Sequence, residues 1–240
     1  ATAEPGLLMW DNITKNLPAH EYEAYKTICT NPCAEIPLSA YDSCRLMSIN
    51  LKNFVSDPFT KKAAFNFEEF ANTVRMAMRL SDDLVELEIE KILSILGSCD
   101  TSDEQALWMK LRAAAEGGRR TGLGTHGLAG ALACLRVRYD SPTALPIIDM
   151  IYETLKIEAY RESCNLAVER GAFPHFCWET EKNNPYIKSL PKEIRQMIKE
   201  NGRRNISILT NAPTGSVSIM SQTSSGLEPV FRNVYTRRKD

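Results

Sequence analysis

No stretch of this chain is apolar for the roughly 18–20 residues that a membrane-spanning helix needs. Its first residues, ATAEPGLLMW, also lack the basic-then-apolar order of a secretory signal. Neither charge sign is in excess: 29 Lys and Arg against 30 Asp and Glu leave a net charge of −1. That balance gives no electrostatic case for nucleic acid or a membrane surface as a partner. Histidine is scarce, with His20, His126 and His175 far apart, and there is neither an internal repeat nor a low-complexity linker. The seven cysteines (Cys29, Cys33, Cys44, Cys99, Cys134, Cys164 and Cys177) are too few and too irregularly spaced for a disulfide framework. The expected setting is therefore cytoplasmic, with reduced thiols. The chain starts without methionine and ends on YTRRKD, so it reads as a piece of something larger. At 240 residues and 43% hydrophobic content it can bury one large core or two modest ones.

What is present alternates between amphipathic helices and short apolar strands. Asn66 is placed to cap a long helix with an apolar stripe of Phe67, Phe70, Ala71, Val74, Ala77, Met78, Leu84, Val85 and Ile92, ended by Gly97. Ser102-Asp103-Glu104-Gln105 has the form of a capping box and opens a helix that stops at Gly117-Gly118. TGLGTHG reads as strand and turn before a short helix at LAGALACL. Ser141-Pro142 starts a helix with Ile148, Ile151, Leu155, Ala159, Ser163 and Leu166 on one face, closed by Gly171. The Pro- and Asn-rich HFCWETEKNNPYIKSLPKE reads as a surface excursion. NISILT, 205–210, has the character of a buried strand, and NAPTGSVS after it is loop chemistry. The pattern predicts an α/β architecture with parallel strands.

Gly122-Leu123-Gly124-Thr125-His126-Gly127 fits G-x-G-x-x-G, the fingerprint of a dinucleotide site. Such a site needs a strand running into the first glycine. Here the run-in is LRAAAEGGRR, a helix end and two arginines. Glycines permitting close strand–helix packing account for the motif better, and a dinucleotide-binding dehydrogenase or binding module using Gly122, Gly124 and Gly127 is the alternative from another class. Arg119 and Arg120 suit the end of a helix dipole, and His126 suits a local hydrogen bond.

The stretch TNPCAEIPLSAYDSCRLMSINL, residues 30 to 51, raises the chemical question. Cys33 admits four readings: a small buried hydrophobe, a zinc ligand, a nucleophile with a histidine base, or a thiol in radical or redox chemistry. For zinc, Cys29 and Cys44 are companions but no fourth Cys or His lies near, and no metal site is expected. For a histidine-activated nucleophile the dispersed histidines neither support nor exclude the pairing. The radical or redox reading wants a thiol, a nearby acid/base and a second thiol, which Cys33, Glu35 and Cys44 supply.

These residues carry a resemblance. NPCAEIPL…YDSCRLMSINL closely resembles the active-site loop of the ribonucleotide reductase large chain. The resemblance continues in family order through GRRTGLGTHGLAGAL, RESCNLAVERGAFP and NISILTNAPTGSVSIMSQTSSGLEPVFRNVYTRR. The uninterrupted eleven-residue gap between Cys33 and Cys44 looks most like the adenosylcobalamin-dependent class. A large subunit that receives its radical from a partner protein is the alternative within the family.

The resemblance implies that residues 1–240 are part of a ten-stranded α/β barrel with a central finger loop, the N- and C-terminal parts of the enzyme lying elsewhere. It implies that Cys33 becomes a transient thiyl radical, that Glu35 is the general base, and that Asn31 holds the sugar. In an extended segment residues 31, 33 and 35 would project to one side. Cys44 would be half of a redox-active dithiol whose partner cysteine comes from upstream. Cys29 is not assigned that role, and the remaining cysteines read as structural or incidental. Substrate phosphate is implied at Pro213, Thr214, Gly215, Ser216 and Val217, although a plain Pro-Thr-Gly turn explains those residues equally well. The implied cofactor is adenosylcobalamin with an external dithiol reductant. The implied partners are a ribonucleotide and a thioredoxin-like protein, with a homo-oligomer at full length and no turnover by the 240-residue piece alone.

Overall fold

The structure, a computed structural model, describes residues 6–43, 45–232, 234 and 236. Helix α1 (Trp10–Asn16) and two 3₁₀ turns lead to strands β1 (Cys29–Thr30) and β2 (Pro37–Leu38), an antiparallel hairpin pairing Cys29 with Leu38. Strand β3 (Leu46–Asn50) follows, then a second small hairpin of β4 (Val55–Ser56) and β5 (Ala64–Phe65). Two long helices come next, α2 (Phe67–Leu96) and α3 (Ser102–Gly118), then β6 (Gly122–His126), α4 (Leu128–Cys134) and α5 (Ala144–Arg170). The short helices α6 (Trp178–Glu181) and α7 (Pro185–Lys188), then α8 (Lys192–Asn201) and α9 (Gly215–Met220), complete the order. No helix among the described residues is long and apolar enough to cross a membrane.

Helix α2 forms where its sequence predicts. Asn66 Oδ1 accepts from the Glu69 amide (3.0 Å), Asn66 Nδ2 donates back to Glu69 Oε2 (3.1 Å), and Glu68 and Glu69 suit the positive end of the dipole. Phe70, Val74, Met78, Val85 and Ile92 are buried at helical spacing. Helix α3 is capped one residue earlier than expected: Thr101 Oγ1, not Ser102, accepts from the Glu104 amide (3.2 Å). Helix α5 begins at Ala144, because Ser141 closes a turn on the Arg138 carbonyl and precedes Pro142.

Strands β3 and β6 run parallel, from Leu46 opposite Gly122 to Asn50 opposite His126, and every residue of β6 is buried. The expected strand at 205–210 lies along the other edge of β6. Ile208 O accepts from Leu123 N–H and Leu123 O accepts from Thr210 N–H, both at 2.9 Å. Regular pairing there reduces to one bridge, between Leu123 and Leu209. The reason is local: the next amide in line, that of Thr125, is taken by the side chain of Asn211 (2.9 Å), so the ladder ends on an amide group instead of a carbonyl. Helices α2 and α5 pack on each other, α2 also touches both strands, and Phe70, Met78, Leu123, Ile151, Leu155 and Ile208 share the main core.

The segment 175–193 is a surface excursion only in part, anchored by a few buried residues. Glu181, Asn184 and Ile187 are buried. Arg203, itself fully buried, pairs with Glu181 through Nε (3.0 Å) and Nη2 (2.5 Å), and Tyr22 donates to the same carboxylate (2.8 Å). Glu181 and Asn184 are interior because each has a hydrogen-bonding partner far away in the chain, whereas His175, Glu179, Asn183, Lys188, Lys192 and Glu193 remain exposed. A second buried acid, Asp82 on α2, gathers Arg119 (2.9 Å), Arg170 (3.1 Å), Arg204 (3.2 Å) and Asn205 Nδ2 (3.0 Å). Burial alone would raise its pKa; the arginines, Arg119 foremost, outweigh that and hold it below the usual carboxylate value.

Candidate active site

The finger loop is a turn on a short hairpin. The Ala34 amide donates to Asn31 O (2.9 Å), closing a turn with Pro32 and Cys33 at its two central positions, and proline at the first of these presets φ. Asn31 N–H donates to Ile36 O (3.1 Å), and Ile36 N–H donates to Asn31 Oδ1 (2.9 Å). Ala34 takes a φ of +67°. Residues 31, 33 and 35 are therefore not on one side of an extended strand as the sequence suggested. Asn31 instead spends its side-chain oxygen on closing the loop, and Cys33 stands exposed at the tip as a free thiol.

Glu35 sits half-buried below the tip. Its carbonyl accepts from Thr210 Oγ1 (2.6 Å), while its carboxylate oxygen Oε2 is buried without a partner among the described residues. Cys33 and Glu35 line a cavity of ≈ 190 Å³ together with Asn211, Ala212, Pro213, Gly226, Leu227 and Glu228. A larger cavity of ≈ 510 Å³ lies between α5 and residues 209–211, lined by Asp149, Tyr152, Glu153 and Lys156 among others, but it has no thiol. The smaller one holds the exposed thiol.

Of the expected phosphate residues, Pro213 lines that cavity, and Thr214, Gly215, Ser216 and Val217 follow it directly. They are not loop alone: Gly215 begins α9, Thr214 stands at its N-cap position at φ +52° without a side-chain cap, and Gly215 to Val217 supply first-turn amides, which lack helical acceptors. Thr214 Oγ1 accepts from the Gly226 amide (2.8 Å), which fixes the turn to the chain twelve residues on. Cys44 lies outside the described residues. Its sequence neighbours are anchored: Ser43 Oγ donates to Glu88 (2.7 Å) and Arg45 pairs with the same carboxylate. Cys29 is exposed on β1, Cys99 half-buried and Cys177 exposed, while Cys134 and Cys164 are buried; burial pushes the Cys164 thiol up to about 12.

Arg119 and Arg120 serve the interior. Arg120 pairs with Asp42 (2.6 Å), both nearly inaccessible, and also donates to Pro37 O (3.2 Å) at the base of the finger hairpin. These buried acids, more than a helix dipole, explain the two arginines. His126 bridges Ser48 Oγ (2.8 Å) and Ser221 Oγ (3.0 Å), joining β3, β6 and the end of α9, and burial holds its pKa below the ordinary histidine value. Gly122 and Gly124 sit inside β6, not in a turn after a strand. A Cβ on Gly124 would lie 1.8 Å from Thr210 O, so the close neighbour is the 205–210 segment and not a helix. Sequence reasoning passed over Asn211 and Glu228. The only signal for Glu228 was its place in the SSGLEP run that shares the family resemblance.

The chain is a mixed helix-and-strand unit in which an exposed thiol and a carboxylate without a described partner border one cavity. Residues 1–240, the whole chain, match the family described as ribonucleotide reductase, barrel domain. The chain belongs to that family. It is 30% identical over 237 residues to the vitamin B12-dependent ribonucleoside-diphosphate reductase of Mycobacterium tuberculosis, covering 99% of this chain and 29% of that protein. With the protein of the same name from Thermoplasma acidophilum it is 33% identical over 239 residues, covering 98% of this chain and 26% of the relative. The chain thus spans under a third of the length of these relatives. Among solved structures, the Actinobacillus ureae class Id ribonucleotide reductase alpha subunit superposes with a TM-score of 0.66 at 23% identity, over 95% of this chain and 37% of that one, a likeness of fold.

Proposed function

We propose that residues 1–240 are the catalytic part of a ribonucleotide reductase barrel, converting ribonucleotides to 2′-deoxyribonucleotides. Parallel β3 and β6 and the 205–210 segment would be neighbouring strands of a ten-stranded barrel, with the Cys33 hairpin as its finger loop. The observation that carries the reading is the shared cavity: the thiol and the unpartnered carboxylate border the same space as the chain leading into the α9 turn.

Cys33, as a thiyl radical, takes the hydrogen from the ribose 3′ carbon. Glu35 accepts the 3′-hydroxyl proton on Oε2, the oxygen left without a partner. Asn31, whose Oδ1 closes the loop, has its amide N–H groups for the sugar. The amides of Gly215 to Val217 and the hydroxyls of Thr214 and Ser216 receive the phosphate. The 2′-hydroxyl leaves as water while two thiols become a disulfide, so two electrons and two protons enter with the dithiol. Cys33 gives the hydrogen back to the 3′ carbon and Glu35 returns the hydroxyl proton, which restores the thiyl radical. Cys44 is one thiol of that pair, and an external dithiol protein of the thioredoxin type restores it.

Relatives named vitamin B12-dependent match at 30–33% identity, whereas subunits named alpha from Chlamydia match at 24–25%, which favours adenosylcobalamin as the radical source. Adenosylcobalamin would supply a one-electron oxidant for a thiol, and of the exposed thiols Cys29, Cys33 and Cys177 it is Cys33, bordering the cavity with Glu35, that would receive it. The test is the full-length protein carrying Cys33→Ser, assayed for deoxynucleotide formation with and without adenosylcobalamin. Loss of activity to background, with Cys177→Ser active, is expected. An undiminished rate from the Cys33 variant would refute the proposal.

A further inference from the structure

The cavity has a second carboxylate, which the reductase reading leaves without a task. Glu228 borders it together with Cys33 and Glu35. An exposed acid on a loop ordinarily needs no explanation. This one sits on a backbone fixed on several sides. Gly226 N–H donates to Thr214 Oγ1 (2.8 Å), Tyr139 donates to Leu227 O, and Gly130 N–H donates to Ser224 Oγ (3.0 Å). Gly226 has a φ of +44°, which favours glycine, and a Cβ there would lie 2.3 Å from Glu228 Oε2, so the carboxylate folds back over Gly226. Glu228 forms no hydrogen bond or ion pair with any described residue.

A hydroxyl carries one proton and donates to one acceptor at a time. Two carboxylates border this space, the buried Glu35 Oε2 and the exposed Glu228, neither bonded to a described residue, so together they can accept from two donors. A ribose whose phosphate rests on the α9 turn presents two neighbouring hydroxyls to them. If Glu35 takes the 3′-hydroxyl, the donor left for Glu228 is the 2′-hydroxyl. We propose that Glu228 accepts a hydrogen bond from the substrate 2′-hydroxyl and thereby sets the preference for a ribonucleotide over its 2′-deoxy product, an inference that rests on the reductase reading of the cavity. A site built to bind a hydroxyl disfavours the analogue that lacks it. Once the 2′-hydroxyl has left as water, Glu228 has lost its donor and the product is held less tightly than the substrate.

The experiment uses the full-length protein with Cys33→Ser to stop turnover. It measures equilibrium binding of a ribonucleoside diphosphate and its 2′-deoxy counterpart, with Glu228 intact, Glu228→Gln and Glu228→Ala. With Glu228 intact the ribonucleotide should bind about tenfold tighter, the range of a hydrogen bond to a charged group. In Glu228→Ala that preference should fall to within about twofold, with the deoxynucleotide bound as before, and Glu228→Gln should fall between. An unchanged ratio, or equal weakening of both ligands, overturns the role of Glu228 and leaves the reductase reading intact. If neither nucleotide binds with Glu228 intact, the reading of the cavity itself fails.

Discussion

Gly124→Ala is the sharpest test of how the site is assembled. The new methyl carbon would meet Thr210 O at 1.8 Å, Thr210 C at 2.9 Å and Asn211 Oδ1 at 3.0 Å. Because two of these atoms are backbone, no rotamer change relieves the clash, and the 206–211 segment has to move as a unit. Overpacking of this kind costs about 1–3 kcal/mol. Moving the segment also stretches three hydrogen bonds, Leu123 N–H to Ile208 O, Thr210 N–H to Leu123 O and Thr125 N–H to Asn211 Oδ1, each worth about 1 kcal/mol. The total is about 4–6 kcal/mol. For a domain of this size each kcal/mol shifts the midpoint by about 2–4 °C, so Tm should fall by about 10 °C or more. Thermal unfolding followed by circular dichroism reads this directly. Gly215→Ala is the control, since a Cβ there meets nothing within 4 Å. A Gly124→Ala Tm within about 2 °C of the unmodified protein would refute the argument. Intact folding with loss of dinucleotide binding would favour a nucleotide site on those glycines.

Other expectations follow from the buried charges and thiols. Glu181→Ala strands Arg203 in the interior and should cost about 3–5 kcal/mol, read from the urea midpoint. Asp82, with its folded pKa depressed, contributes stability that is present above its unfolded value of about 4 and lost as pH falls through the lower folded value. Asp82→Asn should therefore flatten the acid limb of a stability-versus-pH curve; an unaltered limb would rule out this carboxylate as its source. With iodoacetamide near neutral pH, Cys177 should be alkylated first among the described thiols, because a hydrogen bond from Thr180 lowers its pKa. Cys134 and Cys164, raised by burial, should react last; prompt labelling of Cys164 in native protein would contradict its placement.

Some of this was legible in the sequence and some could not be. Helix α2 was, because a capping asparagine and an apolar period of 3.6 are local signals that tertiary packing reinforced. The interior anchoring of residues 175–193 was not, since composition alone marks Glu181 and Asn184 as surface residues. What buries them is Arg203 and Tyr22 for Glu181 and Glu21 for Asn184, and pairings of 22 to 163 residues' separation leave no trace in a window. Cys33 and Glu35 could be picked out by type and spacing, but not the way they come together. Pleat alternation was the available rule, whereas the structure uses a turn with Ala34 at positive φ. Glu228 was invisible because its significance depends on Gly226 and Thr214 bringing a distant loop to the cavity.

Thr210 shows why the misleading glycine motif and the site share one cause. Its amide donates to Leu123 O at 2.9 Å, its hydroxyl donates to Glu35 O at 2.6 Å, and its backbone and methyl occupy space that side chains on Gly124 and Gly122 would fill. The glycines of GLG let this one residue approach β6 closely, and from there its hydroxyl fixes the finger hairpin beside the chain that enters α9. Thr210→Val keeps nearly the same shape and removes only the hydroxyl bond, at a cost of about 1 kcal/mol. The consequence should be local: faster hydrogen exchange at the Ala34 and Ile36 amides of the hairpin, with exchange at the Leu123 amide of β6 unchanged. Equal acceleration in hairpin and strand would mean that the hydroxyl supports the fold generally. No acceleration in either would mean that the hairpin is held by its own turn and by Arg120 at its base, without help from Thr210.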